Sequence, residues 1–311
     1  MIVNRERTTV LSSLGWVEGD AIWCLDVASG TPRTIPQNTG ARYTSLHSSE
    51  AERFLAVHHF DGARFLASVG VFSAPEVTLS SASYEKGRSS LTGHAVAWNG
   101  LPRLFVQYLK EPWNDYVLVS VTPAGAFVQR LEWYDSSYDK VYQSVIDVIA
   151  LPDPRYALIS VQRSSVLIVH DLETGQAHHK VTLGMQHGNP RLTLRGNTLW
   201  ATDYDTLVTV DVQSWRVLRK KRLQGALTGT GQFIGDYSFS ADGTCCVGRP
   251  YSGDVVAVDD RLKIRKSAKL GRQPQEAVEL TNGEVIARDW KTGDLLRGRM
   301  EPYSWIKGLW S

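Results

Sequence analysis

The chain has 311 residues, 42% of them hydrophobic and 21% charged, with 34 Lys and Arg against 32 Asp and Glu. That length and apolar content suffice for a large buried core, and so even a charge balance excludes an intrinsically disordered chain. The opening MIVNRERTTV carries charge where a signal peptide needs an apolar stretch, and no apolar run approaches the roughly 18 to 20 residues of a membrane span, so a cytoplasmic protein without membrane contact is expected. Cys24, Cys245 and Cys246 cannot all pair and offer no second CxxC for zinc; they read as reduced, buried thiols.

In chain order, short runs rich in Val, Ile, Leu and aromatics alternate with Gly, Pro, Asp and Ser turns. The first group is TTVLSSLG, AIWCLDV and PRTI, with no convincing innermost strand before them. The second is YTSLHSS, RFLAVHHF, RFLASVGVF and EVTLSSAS, and the third HAVAWNG, RLFVQYL, DYVLVSVT and AFVQRLEW. QSVIDVIAL, YALISVQ, SVLIVHDL and QAHHKVTL form the fourth, the most regular copy. RLTLRG, TLWATDY, TLVTVDV and WRVLRKKRL make the fifth; YSFSADG, TCCVGRP, DVVAVDD and LKIRKSAKL make the sixth. The last is EAVELTNG, EVIARDW and DLLRGRM, followed by SWIKGLW, which is either its fourth strand or a partner for the strand-deficient first copy. A four-stranded unit recurring every about 35 to 50 residues with no competing helix predicts an all-β chain, residues 1–311 as a single β-propeller domain. Seven blades of four-stranded antiparallel sheets are expected, closed by pairing of the N- and C-terminal segments around Arg7 to Leu14 and Tyr303 to Trp310. A β-sandwich pair and rings of six or eight blades are the alternatives.

The segment ALISVQRSSVLIVHDLETG, from Ala157 to Gly175, resembles the repeat of the bacterial YVTN-type propellers within the wider WD40-like superfamily. Leu25 to Gly30, Val210 to Ser214 and Val258 to Asp260 repeat parts of it, without the Gly-His and Trp-Asp pairs of WD40 repeats. The resemblance implies architecture and no particular activity. Asp at the strand end accepts backbone N–H bonds and Gly supplies the positive φ of the turn, so Asp26, Asp171, Asp211 and Asp259 are expected to be structural.

In such a meander the loops before the innermost strands and those between second and third strands share one face, here called the top. Arg42, His94, Gln143, Asn189, Asp236 and Glu276 are expected at the mouth of the central channel, a polar ring suited to a small ligand or only to water. Trp113, Trp133, Tyr134, Tyr138 and Tyr142 lie in two long top-face connections, in KEPWND and EWYDSSYDKVY, as a partner-binding patch or as pins for those loops. Between Ser214 and Arg272 stand twelve Lys or Arg against five Asp or Glu. Arg219, Lys220, Arg222, Lys263, Arg265 and Lys266 would form a basic rim on two outermost strands, either protecting those edges or meeting an acidic partner or nucleic acid. No HExxH, GxSxG, Walker loop or GxGxxG occurs, and no catalytic residue, metal or cofactor is assigned. The expected function is a non-catalytic module binding a protein or other macromolecule, a monomeric propeller within a complex. A hydrolase or lyase working in the channel and a carbohydrate-binding propeller are the alternatives.

Overall fold

The computed structural model describes residues 2–4, 6–13, 21–48, 53–60, 65–84, 90–98, 101–110, 115–121, 127–132, 145–161, 165–174, 176–185, 190–223, 234 and 236–303. Among them the helices and strands are all strands, in consecutive antiparallel meanders. The first sheet holds β1 (Ile2–Val3), β2 (Thr9–Ser13), β3 (Ile22–Asp26) and β4 (Pro32–Ile35). The second holds β5 (Tyr43–Ser48), β6 (Arg53–His59), β7 (Phe65–Val71) and β8 (Ala74–Tyr84), and the third β9 (Ser90–Trp98), β10 (Leu101–Lys110), β11 (Asp115–Val121) and β12 (Phe127–Glu132). The fourth consists of β13 (Val145–Ala150), β14 (Tyr156–Val161), β15 (Val166–Asp171) and β16 (Ala177–Thr182). β17 (Arg191–Arg195), β18 (Thr198–Asp203), β19 (Thr206–Asp211) and β20 (Arg216–Arg222) make the fifth. The sixth is β21 (Tyr237–Phe239), β22 (Cys245–Arg249), β23 (Asp254–Val258) and β24 (Ile264–Lys269); the seventh is β25 (Pro274–Glu279), β26 (Glu284–Asp289) and β27 (Leu295–Arg299). A last strand, β28 (Glu301–Pro302), joins the sixth sheet beside β24. No helix of the described residues is long and apolar enough to cross a membrane.

Two details differ from the sequence reading. The first sheet has its own innermost strand, because Asn4 turns the chain: its Oδ1 accepts the N–H groups of Thr8 and Thr9, laying Ile2 against Leu11 and Val3 against Val10. β2 therefore already has neighbours on both sides; of the segment expected to pair with it, Tyr303 bonds the Arg265 carbonyl of the sixth sheet instead, and residues 304–310 lie outside the described ones. Among the described residues the seventh sheet has three strands and the sixth five, since β28 crosses to β24.

The chain divides into two compact units, Ile2–Leu194 and the part from Arg195 onward. Middle strands are buried on both faces, so β15, β19 and β23 read as nearly continuous apolar runs, whereas the outer strands β16 and β20 are largely exposed. Strand alternation sorts the sixth sheet between its neighbours. Cys245, Val247, Val256 and Val258 pack with Trp200 and Leu207 of the fifth sheet; Cys246, Val255 and Ala257 pack with Ala277, Val285 and Ala287 of the seventh. In the first unit Leu11, Ile22 and Cys24 of the first sheet meet Phe54, Ala56 and Phe72 of the second. All three cysteines are buried thiols outside any disulfide, as expected, and burial pushes the Cys24 and Cys245 thiols up.

Turn acids behave as the repeat pattern implies. Asp26 accepts the N–H of Ser29, Asp171 those of Glu173 and Thr174, Asp211 those of Gln213 and Ser214, and Asp259 those of Arg261 and Lys263. Buried histidines are also structural. His58 bridges three strands, 2.8 Å from Thr44 Oγ1 on β5 and 2.8 Å from Ser68 Oγ on β7. His170 on β15 is fully buried, and burial, opposed by a backbone contact with Gln176, pushes its imidazole down to about 4. An unfolded imidazole titrates near about 6.5. Between those values the unfolded chain binds the extra proton, so this contribution is intact above about pH 6.5 and is lost as pH falls through 4. Thermal melts across that window should show a midpoint falling by several degrees, with a flatter profile for His170→Leu; parallel profiles would refute the assignment.

Candidate interaction surface

Among the described residues of the unit from Arg195 onward, three aromatic side chains stand out of the surface: Tyr204, Tyr251 and Trp290. Each occupies the turn between the second and third strands of its sheet, the fifth, sixth and seventh in succession. Tyr251 is 57% exposed and Trp290 46%, yet their rings meet edge to face, with centroids 6.2 Å apart and planes at 71°. Their spacing is in the range of favourable aromatic pairs.

Both turns are held rigidly from within. Arg249 Nε and Nη2 pair with the two carboxylate oxygens of Asp254 at 2.8 and 2.5 Å, closing the Tyr251 turn across its base. The N–H groups of Ser252 and Gly253 bond the Arg249 carbonyl, and Gly253 takes φ 66°, which a side chain would resist. The Trp290 turn is organised by Asp289, whose carboxylate accepts N–H bonds from Gln273, Lys291 and Thr292. Burial raises the affinity of Asp289 for a proton, but those donors outweigh it and hold the carboxyl below its usual range. Trp290 N–H in turn bonds the Gln273 carbonyl at 2.8 Å, tying this turn to the segment leading into β25.

Between the two turns lies a cleft of about 580 Å³, lined by Tyr251, Lys269, Arg272, Gln273, Lys291 and Thr292 among others. Arg272 pairs with Asp294 at 2.5 Å, and Lys269 Nζ donates to the Ser252 carbonyl at 2.8 Å, so two of its cations are engaged locally. Tyr251, its ring held against Trp290, lines this cleft, and a rigid ring there buries a partner's apolar group at small entropic cost.

The sequence does announce this pair. Arg249-Pro250-Tyr251-Ser252-Gly253-Asp254 and Arg288-Asp289-Trp290-Lys291-Thr292-Gly293-Asp294 share Arg, one aromatic, Ser or Thr, then Gly-Asp. Density of aromatics directs attention instead to the third copy. Trp113 lies in the corresponding connection, between β10 and β11, outside the described residues, as do Trp133, Tyr134, Tyr138 and Tyr142 between β12 and β13.

The channel-mouth set is dispersed in register. Arg42 and Asp236 directly precede β5 and β21 and are exposed, and Asp236 accepts the Tyr237 N–H at 3.0 Å. His94 and Glu276 lie inside their strands, because β9 begins at Ser90 and β25 at Pro274, earlier than the apolar alternation indicates. His94 is opposite Phe105 in the ladder, and Glu276 is bonded to Arg288 at 2.5 Å. Gln143 and Asn189 are outside the described residues. Among the described residues no group of three His, Cys, Asp or Glu side chains could hold a metal ion.

Half of the basic rim is neutralised in place. Arg222 binds the buried Asp205, Arg265 binds Asp259, and Lys266 binds Asp242 and Glu279. Among the described residues β28 covers β24, so β20 is the one of its two strands that is outermost. Arg219, Lys220 and Lys263 complete the rim; the first two lie on the exposed strand β20, and the Lys263 N–H caps Asp259.

Neither a protein-family profile nor a curated protein matches the sequence. Solved structures do. The β-propeller domain of Cps50 (Swd1) from Myceliophteria thermophila superposes with a TM-score of 0.63 over 96% of this chain and 94% of its own, at 12% identity. The fold is a β-propeller. A chain of the mitotic checkpoint complex gives 0.63 over 96% of the propeller and 85% of that chain, at 8% identity. The periplasmic gluconolactonase PpgL of Pseudomonas aeruginosa gives 0.61 over 95% and 96%, at 16% identity. At such identities the likeness shows architecture alone, and architecture leaves binding and catalysis both open.

Proposed function

We propose that this propeller is a binding module which holds a protein partner on its top-face turns, with Tyr251 and Trp290 as the anchor. The observation that carries this reading is the exposed, edge-to-face ring pair on two hydrogen-bonded turns beside a cleft of about 580 Å³. Aromatic side chains fixed in this way are the usual centres of binding energy at protein interfaces. Propellers also occur in assemblies, as the chain from the mitotic checkpoint complex illustrates.

A carbohydrate ligand is the second reading, favoured by the recurrence of Tyr204, Tyr251 and Trp290 at one position in three successive sheets. Sugars stack on ring faces, and in the T-shaped pair one face of one ring is covered by the edge of the other, which favours the protein partner. Quantitative capture from native cell extract, run beside a glycan array with Tyr251→Ala/Trp290→Ala as the control, tests both. Protein capture lost in the double variant supports the proposal; glycan binding lost in the same variant supports the alternative; protein capture unchanged by it refutes the anchor.

A further inference from the structure

The outer edges of the fifth and sixth sheets are built alike but treated differently. In the sixth, β24 pairs with β23 until Lys266 faces Ala257, skips Arg265 as a bulge, and resumes with Ile264 facing Val258. In the fifth, β20 pairs with β19 until Arg219 faces Thr209, skips Leu218 as a bulge, and resumes with Val217 facing Val210. The two strands therefore correspond residue by residue: Leu218 with Arg265, Arg219 with Lys266, Lys220 with Ser267.

The sixth sheet shows what such an edge accepts. β28 lies antiparallel against β24, with Pro302 opposite Lys266 and Glu301 opposite Ser267, and the Tyr303 N–H bonds the carbonyl of the bulged Arg265 at 2.8 Å. An extended segment carrying a carboxylate thus covers a basic outer strand just past its bulge. β20 is the more basic of the two, with Arg216, Arg219, Lys220, Lys221 and Arg222 among its seven residues, and six of the seven are exposed. Among the described residues no strand pairs with its outer side. Leu218 is 53% exposed and, with Arg219, lines a second cleft of about 580 Å³ whose walls include Arg195, Trp200 and Asp260.

We propose that β20 is a docking edge for an extended acidic segment of a partner protein, which adds to the fifth sheet antiparallel, as β28 adds to the sixth. The partner's backbone bonds the β20 edge next to the Leu218 bulge, its carboxylates face Arg219 and Lys220, and an apolar side chain rests on Leu218. Strand addition draws affinity from main-chain bonds and specificity from alternate side chains. Cations on an edge repel a second copy of the same edge, and the same cations select a strand of opposite sign. This surface is separate from the Tyr251 and Trp290 turns, so neither proposal depends on the other.

The probe is a synthetic ten-residue peptide of repeating Glu-Glu-Val, which puts a carboxylate on each face of the added strand opposite Arg219 and Lys220 and an apolar residue next to Leu218, read by fluorescence anisotropy and by backbone amide exchange of the full chain. Expected are saturable binding, slowed exchange within Val217 to Lys221, and at least tenfold weaker binding to Arg219→Glu/Lys220→Glu, with the melting midpoint recorded to establish folding. A peptide of the same charge with alternate amides N-methylated should bind at least tenfold more weakly to the unmodified protein, a comparison that requires no folded variant. Equal affinity of the methylated peptide would overturn strand addition. Absence of binding by either peptide would reduce β20 to a protected edge, and tighter binding of single-stranded DNA without amide protection would make it a polyanion surface instead.

Discussion

Removing both rings of the Tyr251 and Trp290 pair is expected to weaken partner binding by about 3 kcal/mol, over a hundredfold, while leaving the melting midpoint nearly unchanged. The two halves of that expectation have separate causes. Both side chains are largely exposed, so their truncation removes little apolar area from the folded core. Their turns are held by backbone bonds to Asp289, Arg249 and Gln273, and by the Arg249–Asp254 pair, none of which involves the rings. Each single alanine variant should cost about 2 kcal/mol. Because the rings touch, the double variant should lose less than the sum, and a double-mutant cycle by calorimetry with the captured partner measures the difference. Additive losses would mean that the rings contact the partner independently; unchanged affinity would remove them from the interface.

Gly248→Ala should destabilise the protein by about 3 kcal/mol, in the range of an overpacked core position. Gly248 lies on β22, on the face turned toward the seventh sheet with Cys246. A Cβ there would stand 2.6 Å from the Pro274 carbonyl oxygen and 2.7 Å from that of Gln275, and backbone atoms in a strand cannot swing aside as a side-chain tip can. The seventh sheet must move, and it carries the segment that holds Trp290, while Gly248 is next to Arg249 at the base of the Tyr251 turn. The same substitution is therefore expected to weaken partner binding beyond its effect on the folded fraction. Chemical denaturation of Gly248→Ala checks the first effect, and an unchanged midpoint would show that the two sheets have room to part. Titration of the variant at a temperature where it is fully folded checks the second.

Much of the fold is legible in the sequence because it is written in local chemistry. Apolar runs such as VLIVHD and TLVTVD, closed by Asp and a Ser/Thr turn, specify strands and hairpins through bonds made within a few residues, and the Asp171 and Asp211 turns form as read. Repetition of those units then leaves face-to-face packing of sheets as the way to bury middle strands that are apolar on both faces. Register is less local: His94 and Glu276 were expected where strands begin and lie within them, since a polar residue inside a strand of mixed pattern does not mark its boundary. The innermost strand of the first sheet is not legible for a related reason: two residues carry too little pattern without the Asn4 turn that folds them back.

Composition and bonds between near neighbours suffice to specify an all-β chain of repeated antiparallel units, the structural role of the turn acids, and buried cysteines outside any disulfide. Tertiary structure alone decided which aromatics meet, which basic strand is covered, and which histidine is held neutral by burial. Tyr251 and Trp290 come from different sheets and touch because the missing side chain of Gly248 lets one sheet close on the backbone of the next. β28 chooses β24, and His170 loses its solvent, through the same packing between elements distant in the chain, which no short window of residues encodes.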